Sequence, residues 1–225
     1  MSDQLMALPL FQGIGKERIM ELIEKVPFHF LKFEEGQTIF KAGEQTEFMR
    51  FVVSGQAQAE TALCGGNVTL IQTITAPDVI APDFLFGRIT TYPFSLTAKT
   101  ECGIMQLSKA YVVSIMQSDK ICLLNMLNYL SRNAQKGDVS YKRMLSSDTS
   151  QRLAVMVFML TGHRSQDIRI RYKQKDLCKL LGLRRSAMLE LISELETRGV
   201  VLDNGTELQI PDRQQLVAEL VKPGK

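Results

Sequence analysis

The chain lacks the usual signatures of catalysis. Its 225 residues include only two histidines, His29 and His163, and no Ser-His-Asp ordering, HExxH or GxxxxGKS pattern. An enzyme is therefore not expected. The four cysteines, Cys64, Cys102, Cys122 and Cys178, are scattered and form no CxxC pair. That excludes a clustered thiolate site and indicates a reducing compartment. No apolar run reaches the length of a membrane span. The opening MSDQLMALPLFQG lacks the basic start and apolar core of a signal peptide. A cytoplasmic chain with no membrane partner is expected. Low-complexity segments and internal repeats are also missing. A strong net charge is absent too, since the total is only +3. Its distribution says more. From Tyr141 to Lys225 there are 15 Lys/Arg against 10 Asp/Glu, a net +5, and the rest of the chain carries −2. Much of the excess lies between Arg164 and Arg185, as a polyanion partner would require.

What is present is clearest from Gln174 to Gly199, QKDLCKLLGLRRSAMLELISELETRG. Leu177, Leu180 and Leu181 give a first helix its apolar face. Gly182 breaks it, because glycine readily accepts the positive φ of a sharp turn. Met188, Leu191, Ile192 and Leu195 repeat at i, i+3, i+4, i+7 and define a second amphipathic helix that Gly199 ends. Cys178 stands where two steeply crossing helices tolerate only a small side chain. Arg184, Arg185 and Ser186 open the second helix, where side chains can reach phosphates and base edges in a major groove. A helical hairpin with merely solvated arginines is the alternative. Val200-Val201-Leu202, the turn sequence Asp203-Asn204-Gly205, and alternating Leu208 and Ile210 predict a small hairpin next. Helix–turn–helix plus hairpin is a winged helix.

Upstream the texture differs. A short helix is expected over Lys16 to Lys25, then many short strands between Phe28 and Leu107, including a turn at Cys64-Gly65-Gly66-Asn67. Such a run indicates a β-sandwich or barrel. Asp119 to Met144 reads as one long helix. Leu123, Leu127, Leu130, Ala134, Gly137, Tyr141 and Met144 follow the alternating spacing of a coiled-coil seam, which predicts a homodimer through Leu123, Leu127 and Leu130. A two-fold protein would match a palindromic DNA site. Ser146-Ser147-Asp148 is the expected hinge and N-cap for a helix from Thr149 to Leu160. The domain division is 1–118, 119–146 and 147–225.

These parts, in this order, resemble the Crp/Fnr family of bacterial transcription regulators. The motifs that carry the resemblance are LPLFQGI, FEEGQTIFKAGE (Phe33 to Glu44), FVVSGQAQ, QKDLCKLLGLRRSAM and ISELETRGVV. The resemblance implies an α+β chain: an N-terminal β-jelly-roll effector domain, a long dimerisation helix and a C-terminal winged helix-turn-helix. It implies binding to double-stranded DNA as a homodimer, with RNA polymerase as a further partner. The recognition helix would be Arg184 to Glu196. Arg185 would read a base, Arg184, Ser186 and Glu190 would flank it, and Lys173, Gln174 and Lys175 would anchor phosphate. Ser186 and Glu190 replace residues of the best-known operator readers, so a different operator is expected.

The effector region departs further. Members that bind cyclic AMP hold the ribose with a glycine-glutamate pair and the phosphate with an arginine. Here Ala81-Pro82 and Phe94-Ser95-Leu96 stand at those places. A buried phosphate without a cation is costly, which argues against a cyclic nucleotide. Phe84, Arg88, Phe94 and Ser95 are the candidate pocket residues, with Arg88 the one nearby cation. No cysteine precedes Cys64, which argues against the iron–sulfur cluster of the oxygen-sensing branch. Haem, bound by some members, stays open through His29 or a methionine, as does a gas or redox signal. The alternative function is a cyclic-nucleotide-binding-like module acting through protein contacts.

Overall fold

The computed structural model describes residues 5–144, 151–162 and 164–218. The chain divides into two compact units. One comprises the chain up to Gln58 together with Ile74–Ala134, and the other comprises Ala59–Thr73 with Gln135–Lys225.

In the first unit a 3-10 turn (Pro9–Phe11) precedes helix α1 (Lys16–Lys25), and the chain continues through β1 (His29–Phe33), β2 (Thr38–Phe40), β3 (Phe48–Ser54) and the start of β4 (Gln56–Leu63). It resumes at the end of β5 (Val68–Thr75), with β6 (Asp78–Ile80), β7 (Ser95–Ala98), β8 (Cys102–Ser108), helix α2 (Lys109–Ser118) and the first part of α3 (Lys120–Met144). One sheet has the order β1-β8-β3-β6, all antiparallel. A second places β7 between β2 and β4. Two antiparallel sheets of short strands make the β-jelly roll. The turn between β3 and β4 needs glycine. Gly55 has φ +75°, and a Cβ there would meet the Glu101 carbonyl oxygen at 2.1 Å. Met49, Phe51, Met105 and Leu107 from the first sheet pack with Phe11, Leu22, Val112, Ile115, Cys122 and Met126 into one core.

Asp119 caps α3. Its Oδ1 accepts the backbone N–H groups of Ile121 and Cys122 at 2.9 and 3.1 Å, and its Oδ2 accepts Arg18 Nε at 3.1 Å. The helix faces its own β-domain with Cys122, Met126, Tyr129 and Leu130. The expected seam is thus divided. Leu130 packs on the core, while Leu123 and Leu127 are exposed, together with Ile121 and Leu124.

The second unit holds α4 (Arg152–Leu160), β9 (Gln166–Tyr172), α5 (Gln174–Leu181), α6 (Arg185–Thr197), β10 (Leu202–Asp203), β11 (Glu207–Ile210) and α7 (Arg213–Ala218). Residues 59–73, expected inside the β-domain, belong here instead. The sheet order is β10-β11-β9-β5-β4, and β5 pairs with β9 from Val68↔Tyr172 to Thr73↔Gln166. Val68 and Leu70 are fully buried in this unit's core, beside Ile168, Ile170, Leu177, Met188, Ile192 and Leu208. Gln72 is buried and satisfied: its Nε2 donates to the Leu160 carbonyl, and its Oε1 accepts from Gly162 N and Ser165 Oγ. The boundary between the two compact units falls inside α3, between Ala134 and Gln135. The Ser146-Ser147-Asp148 hinge and residues 149–150 of the expected helix lie outside the described residues.

Candidate nucleic-acid interface

Strand β9 was not expected. Gln166–Tyr172 reads QDIRIRY, and Ile168, Ile170 and Tyr172 are buried while Arg169 and Arg171 alternate with them. The period of two was legible, but the segment was read only as basic. The consequence is electrostatic. Arg169 lies 3.5 Å from Asp167, and Arg171 lies 3.2 Å from Glu207. Part of the basic excess between Arg164 and Arg185 is therefore matched within the sheet and does not add to a DNA-facing surface.

The two helices form as their apolar spacing requires. Leu177, Cys178 and Leu181 of α5 meet Met188, Leu191, Ile192 and Leu195 of α6 in the core. Cys178 Sγ lies 3.3 Å from Met188 Sδ, so the crossing leaves no room for a larger residue. Gly182 ends α5 at φ +63°, and the Leu183 N–H donates to the Cys178 carbonyl. From α4, Arg152 Nη1 donates to the carbonyls of Leu181 and Gly182 at 2.9 and 2.8 Å. A cation at a helix C-terminus also suits its partial negative charge. The turn is thereby fixed to α4.

Arg184 occupies the N-cap of α6 and Arg185 its first turn. Arg184, Arg185, Ser186 and Glu190 are all exposed, opposite the buried face. Among the described residues no carboxylate lies in ion-pair range of Arg184 or Arg185. Lys173 is the N-cap of α5, with Gln174 and Lys175 in its first turn. Lys173 and Lys175 are exposed and Gln174 is half-buried. The structure thus gathers six of the seven residues at the exposed starts of two consecutive helices, with Glu190 one turn further along α6.

The hairpin behind them is shorter than expected. Val200 and Val201 are buried linkers rather than strand residues, and β10 has two residues. Asn204 N–H donates to the Glu207 carbonyl, so the turn centres on Gly205 and Thr206, one residue later than read. Gly205 has φ +87°, as the first central position of a glycine hairpin turn demands. The Asn204 side chain accepts the N–H groups of Thr206 and Glu207 and fixes the loop.

The effector candidates scatter. Phe84 ends a short 3-10 turn, and its carbonyl accepts Thr46 Oγ1. Arg88 is exposed rather than turned inward. Ser95 Oγ accepts the Ala42 N–H at 3.0 Å. Ala81 takes the left-handed conformation at φ +44°, and Pro82 has no N–H to offer a ligand. Phe94 lies 5.9 Å from Phe40 and joins a cluster that sequence reading missed. Phe40 stacks on Tyr92 with centroids 3.7 Å apart. The Arg50 guanidinium sits 5.4 Å from both ring centroids and donates to Tyr92 OH and Gln106 Oε1. The missed signal was one arginine inside the apolar strand FMRFVVS.

His29 is exposed on edge strand β1, where a haem bound through it would face solvent rather than the core. His163 lies outside the described residues. Met49 and Met105 fill the core. Burial pushes the Cys102 thiol up to about 11 and Cys122 up to about 12. Both stay protonated at neutral pH and are poor redox groups.

A β-domain, a 25-residue helix and a winged helix-turn-helix define a DNA-binding transcription regulator. Residues 30–119 match the cyclic nucleotide-binding domain family, and residues 151–219 match the Crp-like helix-turn-helix domain. The chain is 19% identical to a CRP-like cAMP-activated global transcriptional regulator of Mycobacterium tuberculosis, over 96% of this chain and 98% of that one. It is 23% identical to the regulatory protein YeiL of Escherichia coli O157:H7, over 84% and 83%. The Thermus thermophilus catabolite activator protein shares the fold at a TM-score of 0.55 and 17% identity, over 94% of this chain and 99% of that one. The chain belongs to the Crp/Fnr family of transcription regulators. Among the described residues no helix is long and apolar enough to cross a membrane.

Proposed function

We propose that this chain is a homodimeric regulator that reads a palindromic operator with α6 and answers to an effector other than a cyclic nucleotide. The observation that carries it is the exposed polar face of α6, with Arg184 and Arg185 at its start and a fully buried face behind them. Arg185 reads a guanine through O6 and N7, the commonest specific arginine contact. Arg184, Ser186 and Glu190 flank it. Lys173, Gln174 and Lys175 hold phosphate and set register. Leu123 and Leu127, joined by Leu124, form the dimer face, and RNA polymerase is the downstream partner. The functional division runs 1–118 for sensing, 119–146 for pairing and 147–225 for DNA.

The reading of the effector rests on the jelly roll. Its candidate cation, Arg88, is exposed, and Pro82 withdraws a backbone donor from the place where the family holds a ribose. Arg50 already engages Tyr92, Gln106 and two rings. Selection of sites from a random duplex library, followed by titration across salt, tests the whole reading. A palindromic consensus bound with a steep negative salt slope is expected. Calorimetry with cyclic AMP and cyclic GMP should show no micromolar binding. Absence of any selected sequence would favour the module that acts through protein contacts.

A further inference from the structure

The exposed face of α6 carries one residue that does not belong on a solvated surface. Leu189 is 43% exposed. It lies one turn after Arg185, so the two side chains are neighbours on the helix surface. Ser186, Glu190 and Ser193 surround it, all exposed. The core face is complete without it, since Met188, Leu191, Ile192 and Leu195 are each 7% exposed or less. Nothing in this unit's packing therefore calls for an apolar residue at 189. We propose that Leu189 reads a thymine, by apolar contact with its C5-methyl group. This rests on the reading of α6 as the recognition helix.

The chemistry singles out that partner. The thymine methyl is the one apolar group on the major-groove edge of the four base pairs. Apart from C–H edges such as cytosine C5–H, which lack the methyl's bulk, the edge atoms there are donors or acceptors, which a leucine can only desolvate. Exposed polar neighbours at Arg185, Ser186 and Ser193 suit a groove of phosphates and base edges better than an apolar protein surface. Four residues advance about 6 Å along a helix, roughly two base-pair steps. A thymine within one or two base pairs of the guanine read by Arg185 is therefore expected in each half-site.

The test uses the full-length protein and its selected duplex. Each thymine is replaced singly by deoxyuridine, which deletes the methyl and keeps every hydrogen bond. Wild type should lose about fourfold in affinity at one thymine per half-site, the worth of one buried methyl, and nothing at the others. Leu189→Ala should bind the thymine and uridine duplexes equally. It is an exposed helical change to the best helix former, so folding is kept. Leu189→Met should restore the penalty. Arg185→Ala should keep the thymine–uridine difference while losing preference for guanine. Specific binding by wild type with no position sensitive to the methyl, or a penalty that survives Leu189→Ala, would overturn this assignment alone. Failure of wild type to prefer any duplex would overturn the recognition-helix reading and this inference with it.

Discussion

Two arginine environments divide the molecule. Arg50, in the jelly roll, is half-buried beside the stacked rings of Phe40 and Tyr92 and donates to Tyr92 OH and Gln106 Oε1. Arg185, at the start of α6, is exposed and engages no carboxylate among the described residues. The first has exchanged water for neutral partners and aromatic faces, so it contributes to packing. The second retains its full charge and reach, available to a polyanion. The wing lies between these cases: Arg169 and Arg171 are paired with Asp167 and Glu207. Charge count alone cannot separate the three, because the sign is the same and only the neighbours differ.

The comparison is sharpened first at the dimer face, where the largest effect is expected. Asp at both Leu123 and Leu127, residues 38% and 49% exposed in one chain, would bury like charges across a two-fold interface. Sedimentation should show monomers, and cooperative operator binding should vanish. A variant that stays dimeric would move the interface elsewhere on α3.

Next comes Arg185→Ala, expected to cost about 1–3 kcal/mol on the selected operator and to relax one base pair. Lys175→Ala should instead weaken all sequences alike and reduce the salt slope by about one. Fluorescence anisotropy across salt separates the two outcomes. Arg50→Met should do the opposite. Leaving Tyr92 OH and Gln106 short of a partner should cost about 1–3 kcal/mol of stability. The affinity of the folded protein for DNA should hold. A loss of DNA affinity without a loss of thermal stability would break the contrast drawn here.

The smallest effect concerns pH. Burial pushes the Asp119 carboxyl upward, but hydrogen bonds from the Cys122 N–H, the Arg18 side chain and the Ile121 N–H outweigh it and hold it below the usual carboxylate range. A depressed carboxylate adds stability above its unfolded value, near 4, and that stability is lost as pH falls through the folded value. Asp119→Asn keeps the cap and removes the charge. Urea midpoints of wild type and variant should therefore converge below about pH 4. A difference that persists into acid would mean the cap, not the charge, separates them.

Much of the helix-turn-helix was legible because it is local. Apolar residues at helical spacing, Gly182 at the break and two arginines at the helix start specify α5, the turn and α6 within a few residues of one another. Gly205 specified a turn, although its centre lay one residue later than read, because the backbone pairing of Asn204 with Glu207 set it. Leu123 and Leu127 of the heptad spacing are exposed in the single chain. Leu130 also packs on the chain's own β-domain, a contact that heptad spacing does not reveal.

By itself, then, the sequence determined the winged helix-turn-helix, the long helix and the β-rich N-terminal domain. Each follows from periodicity, glycine placement and turn chemistry acting over short spans. Only the tertiary structure decided where the strand from 68 to 73 belongs. Its alternation suits an antiparallel pair in any sheet, and a backbone edge carries no label for its partner. Val68 and Leu70 fit the core beside Ile168 and Ile170, and Gln72 finds Leu160, Gly162 and Ser165 about 90 residues away. The same holds for Arg50, whose aromatic partners at Phe40 and Tyr92 come from separate segments of the jelly roll. Burial and long-range pairing assigned these roles, and neither can be counted along a chain.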